Sequence, residues 1–341
     1  MSASKKVGFA VVGLGGIARS SVLPCFAKTK KARLAALVGR DKKEAFRLAR
    51  KFRVSPVYSV DEFSKCLENS EVSAVYIATP QSSHSQYTVQ AARAGKHVLC
   101  EKPLAINVEQ SAKMVEECRR NGVLLMTAYR KYFEPSCLFI KKLVQNGELG
   151  RIDTIHTAFS ELHEPGVSLE WLRDPAVAGG GPLMDLGPYC VNTSRWLVGE
   201  NPVEATATSW SHDKKRFRDV EEGIAFRLSF PSGLVLQGST SYGAAMSSFL
   251  YVQGTKGWVC LSPAFDFAEE RRLWGKISGR RMERRFKVVD EFAPEVDELA
   301  AAIVEHRAVS PDGVEGHRDM VILRAIYEAA STQKPVIIRY S

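Results

Sequence analysis

The chain has 341 residues, 45% hydrophobic and 25% charged, with a formal net charge of +9, which suits two domains that each bury a core. No apolar stretch approaches the ~18 residues of a membrane span, and the N-terminus MSASKKVGFAVVG lacks the form of a signal peptide. The seven cysteines, an odd number with no CxxC pair and no tight Cys/His cluster, argue against a disulfide framework or a metal site. They read as buried thiols in a reducing compartment, which makes the cytoplasm the expected location.

The first half alternates strand and helix. Val7–Gly13 is a continuous apolar run, as in a strand buried on both faces of a parallel sheet. A helix is expected over Ile17–Lys28, a strand over Leu34–Gly39, and a helix capped by Asp41 that continues through Phe52. Strands follow at Val75–Thr79, His97–Cys100 and Val123–Ala128, with helices at His84–Ala94 and Val108–Asn121. This alternation marks βαβ units. After about Gly150 long strand candidates appear: Ile152–Glu161, Val203–His212, Ile224–Phe230, Leu234–Ser241, Phe249–Gly254 and Trp258–Leu261. Pro231-Ser232-Gly233 is a hairpin turn. Helices are expected over Pro182–Leu197, Pro294–His306 and Glu315–Thr332. The fold class is therefore α/β, with a doubly wound parallel Rossmann sheet over 1–128. An α+β domain with a large, mostly antiparallel open sheet follows over 129–341, its last segment a candidate to pack back on the first domain.

Much of the positive charge lies in Arg271–Lys287. Such a run serves either an anionic partner or a solvated edge hairpin whose Lys and Arg prevent edge pairing. It lacks the spaced aromatic platform of single-strand binders, so no nucleic-acid partner is expected.

Gly13-Leu14-Gly15-Gly16-Ile17-Ala18 fits G-x-G-x-x-A between a buried strand and a helix, the context a dinucleotide fingerprint requires. Gly13 permits the tight turn, Gly15 and Gly16 let the backbone approach a pyrophosphate, and Ala18 allows close helix packing. Ile17 then opens a helix whose N–H groups face the phosphates. At the end of the second strand Arg40 suits a 2′-phosphate, with Lys42 or Lys43 in support. Asp41 would favour the 2′-hydroxyl of NAD if it met the ribose, but as a helix cap it leaves NADP the expected cofactor and NAD the lesser alternative.

Three further segments carry candidate chemistry. Thr79-Pro80 and His84 lie at a strand's carboxyl end, where ligands of open α/β sheets bind. Glu101-Lys102-Pro103 ends another strand; Lys102 is either an oriented functional amine across a peptide bond that can be cis, or a surface partner of Glu101. In Gly179-Gly180-Gly181-Pro182-Leu183-Met184-Asp185-Leu186-Gly187-Pro188-Tyr189, a glycine loop enters a helix on which Asp185 and Tyr189 share a face. They are either an acid and a phenol for a substrate hydroxyl or a dipole-favoured Asp and a core Tyr.

Together GLGGIA, AVYIATPQSSH, AGKHVLCEKPLA and GGGPLMDLGPYCVN resemble the glucose-fructose oxidoreductase / inositol dehydrogenase (Gfo/Idh/MocA) family across almost the whole chain. TAYRKYFEP and AIYEAASTQKPV point toward the glucose-fructose oxidoreductase branch. The resemblance implies NADP-dependent hydride transfer to or from a sugar, such as an aldose oxidised at C1 to the lactone and possibly coupled to ketose reduction. Lys102 would contact the reacting hydroxyl and the nicotinamide region, Asp185 would hold the substrate, and Tyr189 would be the acid/base in place of the His of many relatives. It also implies that Glu101 and Arg130 border the cofactor and that Tyr129, Arg130, Trp171, Arg173 and Asn192 line the sugar side. The rival activities are trans-dihydrodiol dehydrogenase, reduction of a non-sugar carbonyl, and dinucleotide sensing without turnover. A homodimer or homotetramer through the C-terminal sheet is implied, with an apolar open face. The periplasmic glucose-fructose oxidoreductase carries an export signal and a cofactor-holding arm, whereas this chain starts almost at its first strand. Exchangeable NADP is therefore as much expected as retained NADP.

Overall fold

The computed structural model describes residues 6–340 except 165–168 and 268. The chain divides into two compact units, residues up to 130 with 290–317, and 131–289 with 318 onward. The segment that returns to the first unit is thus internal, and the final residues stay with the second.

The first unit is built on a six-stranded parallel sheet of β1 (Val7–Val12), β2 (Ala32–Gly39), β3 (Val57–Ser59), β4 (Ala74–Ile77), β5 (His97–Glu101) and β6 (Leu125–Ala128), in the order β3-β2-β1-β4-β5-β6. This is the classical dinucleotide-fold order. Every residue of β1 and β4 is buried, which explains their unbroken apolar sequence. The short β3 and the helix Phe63–Glu68 have too little periodicity to be read from the sequence. The helix expected over Ile17–Lys28 is instead a π-helical turn, Ala18–Val22, followed by one α-turn, Leu23–Cys25. Pro24 has no N–H to donate to a carbonyl four residues back, and Leu23 N–H bonds to Ala18 O five residues back. The returning helix Phe292–Glu305 is fastened by Asp297, whose carboxylate accepts from the N–H groups of Lys30 (2.7 Å) and Lys31 (2.8 Å).

The second unit contains a nine-stranded sheet. Its strands are β7 (Ile152–Ser160), β8 (Glu204–Trp210), β9 (Gly223–Ser229), β10 (Val235–Ser241), β11 (Ser247–Gly254), β12 (Gly257–Ser262), β13 (Arg271–Ile277), β14 (Arg280–Phe286) and β15 (Val336–Ile337), in the order β14-β13-β12-β11-β7-β10-β9-β8-β15. Only the β10–β7 pairing is parallel among the described residues. Helices pack on the face carrying Ile155, Phe159, Leu236 and Leu250. The opposite face is not uniformly apolar, as expected, but mixed. Half-buried Phe249, Tyr251, Trp258 and Trp274 share it with Thr208, Arg227 and Gln237. The basic run is the β13–β14 edge hairpin, where Arg272 pairs with Glu283 at 2.9 Å and Arg284 lies over the Phe139 ring at 4.3 Å. The helix Pro135–Gln145, which packs beside this sheet, was not anticipated.

The helix expected over Pro182–Leu197 is divided at Leu186 into Pro182–Asp185 and Gly187–Val198. Pro188 cannot donate to the Met184 carbonyl, and the Tyr189 N–H turns to Leu186 O at 3.1 Å. Asp185 and Tyr189 therefore do not share the face of one continuous helix.

None of the seven cysteines is in a disulfide; six are buried and Cys260 is half-buried. Burial pushes Cys66, Cys118 and Cys190 up to about 12.

In the second unit Arg195 forms a buried ion pair with Asp319, and Asn192 also donates to that carboxylate at 2.7 Å. Removing one member of a buried pair leaves the other charge uncompensated, at a cost of about 3–5 kcal/mol. Asp319→Ala is expected to lower unfolding stability by that amount in urea titration. A loss under about 1 kcal/mol would show that this pair does not hold the helices together.

Candidate active site

In the first unit, β1 delivers the chain to Gly13, whose φ of +89° lies in the left-handed region. A Cβ there would sit 2.5 Å from Ala78 O, so both conformation and space require glycine. At Gly15 and Gly16 a Cβ would meet nothing within 4 Å. The backbone over the turn is thus open to a ligand, as a pyrophosphate-binding loop needs. Ala18 is fully buried. The residues fit a dinucleotide.

At the end of β2, Asp41 caps the helix Lys42–Phe52 and accepts from Lys43 N–H (2.9 Å) and Glu44 N–H (3.2 Å). Its carboxylate is committed to the helix, which leaves exposed Arg40 at the strand end. Lys42 lies 3.7 Å from Glu62.

The ends of β4 and β5 are joined by His84. Its Nε2 faces the Thr79 carbonyl at 2.9 Å and its Nδ1 the Pro103 carbonyl at 3.1 Å. The ring is 1% exposed, and burial holds its pKa below the ordinary value. His84, expected among direct cofactor contacts, braces the loop of Thr79-Pro80 against the turn of Lys102-Pro103, whose peptide bond is cis. Ser83 Oγ donates to Thr79 Oγ1 at 2.8 Å. Glu101 accepts from the Tyr76 hydroxyl at 2.8 Å, and burial raises its carboxyl above the usual range. Tyr129 and Arg130 are buried at the end of β6, with Arg130 paired to Glu291 at 2.6 Å.

In the second unit, the Tyr242 hydroxyl donates to Asp185 Oδ2 at 2.9 Å. The Tyr242 ring is fully buried and stacks on buried His163 at 3.8 Å. The glycine loop is fixed by Glu221, which accepts from Leu183 N–H (3.0 Å), Gly181 N–H (3.3 Å) and the Tyr327 hydroxyl (2.9 Å). Cβ atoms at Gly180 and Gly181 would run into Tyr327 and Glu221, so this loop is glycine-rich because its neighbours close in on the backbone. Tyr189 packs against the rings of Phe159 and Phe265, with centroids 5.4 and 5.8 Å away. Asn192 is buried, with its amide nitrogen committed to Asp319. Trp171 (39% exposed) and half-buried Arg173 lie on the short turn Glu170–Arg173. No spacing in the sequence pointed to Glu221, Tyr242, His163 or Tyr327, which come from segments beside the ends of distant strands and from a distant helix.

Residues 7–129 match the family model described as "Oxidoreductase family, NAD-binding Rossmann fold", and residues 138–260 match the Gfo/Idh/MocA C-terminal domain. The D-xylose 1-dehydrogenase [NADP(+)] of Haloarcula marismortui is 31% identical, over 97% of this chain and 92% of the relative. The chain belongs to the Gfo/Idh/MocA oxidoreductase family. Among solved structures of such oxidoreductases, the aldose-aldose oxidoreductase from Caulobacter crescentus complexed with glycerol is similar, with a TM-score of 0.93 and 34% identity. The match covers 98% of this chain and 100% of that one. A trans-1,2-dihydrobenzene-1,2-diol dehydrogenase of Mus musculus is 30% identical over 73% of this oxidoreductase and 70% of the relative.

Proposed function

We propose that the protein is an NADP-dependent sugar dehydrogenase that oxidises an aldose such as xylose or glucose at C1 to the lactone. The observation that carries this reading is the nearly full-length similarity to an NADP-dependent xylose dehydrogenase, in a chain where Asp41 is spent as a helix cap beside exposed Arg40. A guanidinium at that strand end suits the 2′-phosphate through charge-assisted hydrogen bonds. Gly15 and Gly16 would bring the backbone to the pyrophosphate, on a turn made possible by Gly13 and by the close packing of Ala18 and at the start of the helix opened by Ile17, and Arg40 and Lys42 would hold the 2′-phosphate. When bound, the nicotinamide supplies the hydride acceptor for oxidation and the donor for reduction.

Lys102 stabilises negative charge on the substrate oxygen as the C=O bond forms, and Tyr189 takes the hydroxyl proton. Asp185, pinned by Tyr242, accepts from a second substrate hydroxyl. Trp171 and Arg173 give the sugar an apolar and a charged wall. His84 keeps Lys102 in place through the Pro103 carbonyl. The mouse relative supports a second reading, oxidation of a trans-dihydrodiol by the same groups; a panel of aldoses and dihydrodiols followed by NADPH absorbance separates the two.

The half-buried aromatic group Phe249, Tyr251, Trp258 and Trp274 supports pairing of the sheet's open face with a second copy. The buried thiols, none of them in a disulfide, support a reducing, cytoplasmic setting. Sedimentation should give a dimer or tetramer; a monomer at micromolar concentration would exclude pairing through this face.

Lys102→Met should reduce turnover by about 10²–10³-fold, the usual loss for removing an oxyanion stabiliser, and leave NADP affinity nearly unchanged. Unchanged turnover would remove Lys102 from the reaction. Arg40→Ser should weaken NADP by about tenfold or more, as for a charged hydrogen bond, with little effect on NAD. Equal weakening of both cofactors would place the 2′-phosphate elsewhere.

A further inference from the structure

His163 is a buried imidazole that the reaction described above does not use. It lies just past the end of β7 and is 3% exposed, and neither ring nitrogen has a hydrogen-bond partner among the described residues. The Glu161 carboxylate, 3.9 Å from Nε2, is too far for a hydrogen bond. Buried polar atoms without a partner are uncommon and costly. On that ground alone an apolar side chain would fit the same space better, so the ring must supply something through its face that its edge does not.

That face lies on Tyr242, with ring centroids 3.8 Å apart and planes 19° apart. The His163 N–H also donates to the Tyr242 carbonyl at 3.0 Å, so main chain and side chain of His163 meet the same residue. Tyr242 is fixed from its other side as well. Its N–H donates to the Glu222 carbonyl at 2.9 Å, and the Glu222 carboxylate accepts from the N–H groups of His212 (2.6 Å) and Asp213 (3.0 Å). With the backbone held on both sides, what remains to be set is the direction of the phenol. Its hydroxyl donates to Asp185 Oδ2 at 2.9 Å. Burial, then the Asp185 carboxylate, hold that hydroxyl well above its usual range, so it keeps the proton it donates. A flat neighbour in van der Waals contact blocks the swing of the phenol toward it, and with it the departure of the hydroxyl from Asp185. An aliphatic side chain of similar bulk makes a looser wall.

We propose that His163 is a positioning residue for the sugar: the flat face of its ring, not its nitrogens, keeps Tyr242 directed at Asp185 and so sets how tightly the substrate hydroxyl is held. This deepens, and rests on, the reading of Asp185 as the acceptor of a substrate hydroxyl. His163 makes and breaks no bond and moves no proton, and its effect belongs to the KM of the sugar.

The test compares variants of the full chain with D-xylose and D-glucose as substrates. His163→Leu keeps an apolar filling without a flat face, and should raise the KM for the sugar by about two- to tenfold, the range an aromatic pair contributes. The kcat and the KM for NADP should stay nearly unchanged. His163→Phe, which restores the face without the nitrogens, should return the KM to its native value. Tyr242→Phe keeps the stack and loses the hydroxyl; it should raise the KM by itself, and in that background His163→Leu should add nothing further. A crystal structure of His163→Leu should show the Tyr242 hydroxyl displaced from Asp185, a readout independent of turnover. His163→Met takes the place of His163→Leu if the leucine variant does not fold. A KM in His163→Phe raised as far as in His163→Leu puts the role on the nitrogens and overturns the proposal. So do equal increments with and without the Tyr242 hydroxyl, or a His163→Leu structure in which the bond to Asp185 is intact. Absence of turnover with both sugars, or an Asp185→Asn variant with native KM and kcat, would overturn the reading of Asp185 instead, and the crystal structure would then decide the positioning alone.

Discussion

Parallel pairing of all six strands of the first unit places every strand's carboxyl end on one edge of the sheet, and the candidate chemistry depends on that constraint. Gly13 leaves β1, Thr79 leaves β4, Lys102 leaves β5, and Tyr129 and Arg130 leave β6, all at this edge. Segments tens of residues apart are neighbours there without any one of them having to reach far. The arrangement holds only if β1 and β4 stay buried on both faces, so their apolar sequence and the position of the glycine turn have one cause. His84 adds a cross-tie, because one ring opposes carbonyls from two adjacent strand ends.

What the sequence revealed followed from local chemistry. A buried strand before a glycine turn, an aspartate before a helix, and a Pro-Ser-Gly turn between alternating runs each act within a few residues, and each is found where expected. The helix over Pro182–Leu197 was misread because Pro188 breaks the amide ladder while the apolar pattern continues across it. β15 escaped because two residues carry no periodicity. The partners of the candidate site lay out of reach for a different reason. Tyr242 meets Asp185 across 57 residues, and Tyr327 meets Glu221 across 106. Only the folded sheet brings such pairs together, and no spacing rule encodes them.

Both units bury charge, and they treat it differently. In the second, Arg195 and Asp319 close on each other, with Asn192 and Asn201 completing their hydrogen bonds. This arrangement fixes helix positions. In the first, Glu295 is fully buried and neither of its carboxyl oxygens has a hydrogen-bond partner among the described residues. A balanced cluster serves rigidity. An acid buried without a partner favours its neutral form, because burial penalises the charge.

The return of residues 290–317 to the first unit has a consequence for how the protein is made. The six parallel strands leave the ribosome within the first 128 residues, but Asp297, Glu291 and the helix that carries them emerge only after the whole nine-stranded sheet except β15. Domains generally fold as units during synthesis, N-terminal first. Here the nascent nucleotide-binding unit must wait, with the amides of Lys30 and Lys31 and the guanidinium of Arg130 still lacking their acidic partners. Translation therefore completes the second unit's sheet almost entirely before the first unit can close, and a chain stopped near residue 289 would contain every nucleotide-binding motif without the helix that finishes their domain.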